Sequence, residues 1–176
     1  MTEESSARTA GTGVSDRARL GLFWCLVAMA LAVHNAEELA RDLPGWQADR
    51  PWLPGAALYG DQGQFAVALA IVTGAALVLA VVAVTTRATW SAPVLVCVSY
   101  ALLVNAAGHV LLSIVCWSLM PGVLTSVVVL APVAVFLTRA LPPVRWTISA
   151  ALVTLVAALG LVVGSLAIAA LMRAAV

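Results

Sequence analysis

The sequence predicts an all-α, polytopic membrane bundle of about five transmembrane helices. Three observations predict it. Of 176 residues, 63% are hydrophobic and 10% charged, against roughly 25% charged in an ordinary soluble domain. The mean hydropathy is +1.06. Apolar runs near the 20 or so residues that cross a bilayer as a helix recur along the chain, separated by turns rich in proline, glycine and arginine. This composition excludes an ordinary soluble enzyme domain. The net charge of +1 gives no reason to expect a nucleic-acid partner.

The elements follow in order. Residues 1–19 are polar and rich in small residues and are expected as a disordered tail. Residues 20–173 are expected as a single transmembrane helical domain. The first span runs from Leu20 to about Leu39. It ends in His34 and two glutamates rather than in a small-residue cleavage site, so it reads as a retained helix. Its purely apolar part, Leu20–Val33, is short, so it crosses fully only if the turn His34–Glu38 is buried against protein or a wet cavity. A loop from Arg41 to Gly63 carries Pro44, Pro51 and Pro54, with Trp46, Trp52 and Tyr59 suited to the headgroup zone. The second span runs from about Gln64 to Val84 and the third from about Ser91 to Leu119. Pro121-Gly122 forces a tight reversal. The fourth span, about Val123 to Leu137, carries Pro132 as an expected kink. The fifth runs from about Trp146 to Met172. It contains Gly160 and Gly164, a small-xxx-small pattern suited to close packing or to a homodimer through this helix. Cys25, Cys97 and Cys116 are dispersed in apolar stretches and are expected as packing residues, not a disulfide framework.

Arginine placement sets the expected orientation. With the N-terminus inside, the inner face holds Arg8, Arg17, Arg19, Arg87, Arg139 and Arg145, and the outer face Arg41, Arg50 and Arg173. That bias predicts a multi-pass protein of the cell membrane with a cytoplasmic N-terminus.

Against this apolar background two motifs stand out: His34-Asn35-Ala36-Glu37-Glu38 and Asn105-Ala106-Ala107-Gly108-His109. They contain both histidines of the chain. An ionisable group at the centre of a spanning helix costs about 2.5–3.5 kcal/mol even on insertion scales. Spans one and three run in the same direction. His34 lies about 14 residues, roughly 21 Å, beyond the start of the first. Asn105 and His109 lie about 14 and 18 residues into the third, at matching depth. At 100° per residue, His34, Glu37, Glu38 and Arg41 share one helix face, and Asn105, Gly108 and His109 another. Gly108 would let a neighbouring helix approach closely. The expected arrangement packs the two faces into a polar site between helices 1 and 3 of the bundle. Thr125 enters from the fourth span, and Gln64 rims the chamber. Candidate catalytic residues are therefore His34, Glu37, Glu38, Asn105 and His109, with Arg41, Gln64, Gly108 and Thr125 as substrate-binding candidates. Structural readings stay open beside these. Glu37 or Glu38 can form a helix-end ion pair with Arg41, Asn105 can be interhelical glue, and Thr125 can bond its own backbone.

These blocks resemble the HXXEE family of small bacterial membrane proteins. The resemblance rests on His34-x-x-Glu37-Glu38, then Leu43-Pro44-x-Trp46, then Asn105-x-x-x-His109 followed by Pro121-Gly122-x-x-Thr125, over about residues 20–140. It implies an enzymatic role carried by these motifs. Family members often carry an acid after the histidine, where this chain has Asn35.

Four chemistries fit. Two adjacent glutamates resist ionising together, so one can act as acid and the other as base, with histidine as a shuttle. That would isomerise, cyclise or ring-open a lipophilic small molecule such as an isoprenoid or polyketide, as in secondary metabolism. No cofactor is then needed. Alternatively, His34, Glu38 and His109 ligate zinc or iron in a metal-dependent hydrolase or oxidase. A proton-coupled carrier is the third reading and an assembly role the fourth. The expected partners are a lipophilic substrate and the lipid bilayer.

Overall fold

The computed structural model describes residues 3–86, 89–144 and 147–175, with the backbone alone described before Ala18. Arg87, Arg145 and Trp146, and the side chains of Arg8 and Arg17, lie outside the described residues. The secondary structure is helical: α1 (Glu3–Ala40), α2 (Leu43–Ala48), a 3₁₀ turn (Ala56–Leu58), α3 (Gln62–Thr85), α4 (Ser91–Val115), α5 (Val123–Thr125), a π-helical segment (Ser126–Leu130), α6 (Ala131–Ala140) and α7 (Ile148–Ala174). Backbone helix thus begins at Glu3, within the stretch expected as a tail. Five stretches are long and apolar enough to cross a membrane: Ala18–Ala40, Gln62–Thr85, Ser91–Val115, Val123–Ala140 and Ile148–Ala174. The protein is a multi-pass membrane helical bundle.

Contacts at the helix ends fix the up-and-down order. At one face, Arg19 near the start of the first span donates to the carbonyl of Ala140 at the end of α6 (2.9 Å). At the other, Gln62 at the start of α3 donates to the Leu39 carbonyl at the end of α1. There too Arg173 at the end of α7 pairs with Asp61, which caps α3. The core divides accordingly. One cluster joins Phe23, Trp24, Val27, Leu95, Leu130, Ala134 and Leu137 from α1, α4, the π segment and α6. Within it, Trp24 donates its indole N–H to Ser91 Oγ at 2.8 Å, which satisfies two polar groups that lipid could not. The second cluster gathers Leu43, Phe65, Ala68, Met120, Leu166 and Ala169 near the face where the polar site lies.

The structure departs from expectation at three elements. The loop after α1 contains a helix, α2, because Asp42 adopts φ 54° and its carboxylate accepts from the Gly45 N–H, with Pro44 in the first turn. The third span stops at Val115 rather than Leu119. Trp117 takes φ 47°, and Ser118 N–H reaches back to the Ser113 carbonyl. The fourth span is not a kinked α-helix but widens into π-helix before Pro132, with the Ala131 N–H bonded to the Ser126 carbonyl. Pro132 has no N–H for the Val128 carbonyl, and its ring crowds that position, so the preceding turn opens.

Candidate functional site

The polar site lies between α1 and α4, closed by the turn that leads into α5. The end of α1 supplies His34, Glu37 and Glu38, and α4 supplies Asn105 and His109. His34 is 1% exposed and His109 4%. Glu38 Oε1 stands between the two imidazoles, 3.0 Å from His109 Nε2 and 3.3 Å from His34 Nε2. The two rings meet edge to face with centroids 4.7 Å apart.

A second chain of bonds starts on the other side of His34. Its Nδ1 lies 3.0 Å from Thr125 Oγ1. Thr125 Oγ1 in turn lies 2.6 Å from Glu37 Oε2, which also accepts the Thr125 backbone N–H at 2.7 Å. Glu37 Oε1 is 3.7 Å from Arg41, whose side chain is exposed. A hydroxyl has one proton to give. Thr125 gives it to the carboxylate, its shortest partner, so His34 Nδ1 must donate to Thr125. His34 therefore carries a proton on Nδ1, while its Nε2 faces Glu38 and lies 3.0 Å from Asn105 Nδ2.

The turn before α5 holds the site shut. Gly122 adopts φ 92°, and a Cβ there would lie 2.8 Å from His109 Cε1, 2.9 Å from His34 Cε1 and 3.0 Å from Glu38 Cγ. Only glycine permits both this backbone and this approach. Ser113 fastens the turn to α4: its hydroxyl donates to the His109 carbonyl (2.7 Å) and accepts the Met120 N–H (2.9 Å).

His34, Glu37, Glu38, Asn105, His109 and Thr125 thus converge. Arg41 joins them only through Glu37. Gln64 stands apart: its side chain donates to the Leu58 carbonyl, and it lines a separate groove of about 540 Å³ with Val67, Ala169, Met172 and Arg173. Gly108 does not receive a neighbouring helix, since a Cβ there would meet nothing within 4 Å. It lies on the side of α4 that carries the exposed Val104 and Leu111, while His109 turns inward. Asn105 is exposed on that side although its amide touches His34. Asn35 is buried and donates to Thr73 Oγ1 of α3 at 2.8 Å, so it ties two helices together.

Two site residues went unassigned by pattern. Gly122 was legible only as a turn, and its contact with both histidines had no signal beyond the Pro-Gly pair. Tyr59 reads as a headgroup-zone aromatic. Its phenol is in fact pushed above its ordinary value by burial and by the nearby charge of Glu38, against a hydrogen bond with Gln47 that pulls the other way.

The family model described as "Protein of unknown function with HXXEE motif" matches residues 25–137. That is well over half of the chain, and the protein belongs to the HXXEE family. No curated protein and no solved structure matches it.

Proposed function

We propose that this HXXEE-family chain is an integral-membrane enzyme that performs acid–base chemistry on a lipophilic small molecule. The observation that carries the reading is the hydrogen-bonded path Glu37–Thr125–His34, which links the helix end, where Glu37 lies 3.7 Å from the exposed Arg41, to a fully buried imidazole. Proton relays inside apolar bundles are costly and are built for use. His34 takes up a proton at Nε2 as its Nδ1 proton passes through Thr125 to Glu37, which releases it near the membrane face. Beside it His109 and Glu38 form a second acid–base pair. The Asn105 amide, on the exposed side of α4, orients a substrate oxygen. A substrate dissolved in the bilayer approaches from this side. Isomerisation, cyclisation and ring opening of an isoprenoid or polyketide all need this combination: a placed acid, a placed base and no bulk water. In this reading the chain lies in the cell membrane with its N-terminus in the cytoplasm, an orientation that the arginine bias supports.

The test uses membranes containing the wild type or Glu37→Gln/Glu38→Gln, incubated in D₂O with lipid-soluble metabolites of the source cells. A mass-spectral feature consumed by the wild type alone, with a deuterium-bearing product, is expected. No such conversion, or equal conversion by the variant, overturns the reading. With that assay, Thr125→Ala should lower turnover by about 10²-fold or more, the usual worth of a placed proton donor, and Thr125→Ser should restore most of it.

A further inference from the structure

The geometry points to a metal: we propose that His34, Glu38 and His109 bind one divalent first-row transition-metal ion. The ligand atoms would be the two Nε2 atoms and a Glu38 oxygen. The proposal rests on the enzyme reading only for what the ion would do: when bound it would take the place of the His109–Glu38 acid–base pair and supply Lewis-acid chemistry there. Binding is argued separately.

The three ligand atoms lie within 4.8 Å of one another, and all three residues are buried. A tetrahedral zinc ion with bonds of about 2.0–2.1 Å keeps its ligand atoms about 3.3 Å apart. The two nitrogen–oxygen separations here, 3.0 and 3.3 Å, are already at that spacing. Charge points the same way. Among the described residues, no arginine or lysine pairs with Glu38, whereas Glu37 has Arg41. The partners of Glu38 among them are the two imidazoles alone, and a buried carboxylate is either paired or a metal ligand.

The Thr125 relay supplies an independent reason. His34 Nδ1 is engaged by Thr125, which leaves Nε2 as the ring atom that faces Glu38 at 3.3 Å and is placed to ligate. Ligating histidines in metal sites characteristically donate their other N–H to a carboxylate or its relay, and His34 does so through Thr125 to Glu37. Gly122 leaves no room for a side chain on the other flank. Two imidazoles and one carboxylate suit zinc or ferrous iron with positions left for substrate. With the ion bound, the Asn105 amide is released from His34 to bond a substrate oxygen.

The experiment measures metal, not turnover. Full-length protein in detergent is stripped with chelator, then equilibrated with zinc or, anaerobically, with ferrous iron. It is desalted and its metal content read by mass spectrometry. About one ion per chain is expected from one of the two, and cobalt should give visible bands of a low-coordinate site. Glu38→Gln, which keeps size and shape, and His34→Ala/His109→Ala should each lower occupancy at least tenfold, while Asp49→Asn in the exposed loop keeps it. Should the double histidine variant aggregate, Glu38→Gln and the cobalt spectrum decide. Wild type without metal after both loadings, or occupancy unchanged by Glu38→Gln, overturns the proposal. Failure is separable from failure of the enzyme reading. Deuterium-labelled product from metal-free protein sinks the metal alone, and stoichiometric metal with no converted metabolite sinks the enzyme alone.

Discussion

Gly122 controls the site although it has no functional group. Gly122→Ala must place a methyl group 2.8–3.0 Å from both histidines and Glu38, at φ 92°. Strain of this kind costs about 1–3 kcal/mol. The variant should unfold at lower temperature in detergent and lose conversion, whereas Gly108→Ala, which faces open space, should keep its thermal midpoint. Equal midpoints for the two would mean that the turn yields without cost. Tyr59 offers a readout of Glu38 from outside the spans. The chain has two tyrosines, so Tyr100→Phe leaves a single phenol to titrate by ultraviolet absorbance. In chelator-treated protein it should ionise above the ordinary value of 10.0, mainly from burial and then from the charge of Glu38. Glu38→Gln should bring the midpoint partly back. Because folding raises this pKa, the phenol's contribution is present at neutral pH and is lost as the pH rises through its folded-state midpoint. A midpoint unmoved by Glu38→Gln would separate Tyr59 from the site.

At the scale of elements, the π segment sets the position of Thr125. A π turn holds one residue more than an α turn, so Thr125 is rotated by about 100° relative to a continuous helix ending at Ala140. Pro132→Ala restores the N–H that the Val128 carbonyl lacks and lets the span relax to α-helix. Turnover should fall while the thermal midpoint holds or rises. Undiminished turnover would show that Thr125 is held by Glu37 rather than by the helix register. This element also marks what pattern can and cannot read. The five spans were legible because apolar length and charged turns report directly on the bilayer. The convergence of His34, Glu38, Asn105 and His109 was legible because matching depth and helical phase follow from residue counting. Pro132 signalled a disturbance, but a kink and a widened turn are the same signal in one dimension. The early stop of α4 at Val115 depends on a left-handed Trp117, a conformation that no tryptophan announces. Gly108 misled because a glycine one residue from an inward-facing histidine can lie on either side of its helix, and only packing decides.

At the scale of the whole molecule, α7 packs along α3 but buries few of its side chains. The family match ends at residue 137, and between Ile148 and Gly164 of α7 no residue is buried, whereas Ser165, Leu166 and Ala169 are. Its buried residues lie toward its end, where Arg173 pairs with Asp61 at the start of α3. That attachment makes a claim about topology. The end of α7 shares a face with the end of α1 and the start of α3, and Arg19 and the end of α6 share the opposite one. Five crossings then leave the two termini on opposite sides of the membrane. The expected bias of six arginines on the N-terminal side against three on the other predicts that this side faces the cytoplasm. Alkaline phosphatase fused after residue 176 should be active in the periplasm, and a fluorescent protein fused there should be dark. The same pair fused before residue 1 should give the opposite result. Mirror-image reporters would invert the bundle and put the Glu37–Arg41 end of the proton path in the cytoplasm. Reporters on one side at both termini would mean that one of the five helices does not cross. Because it lies outside the family match and buries few side chains, α7 would be the first to examine, by truncation before Ile148 with the ion content of the His34–Glu38–His109 site as readout.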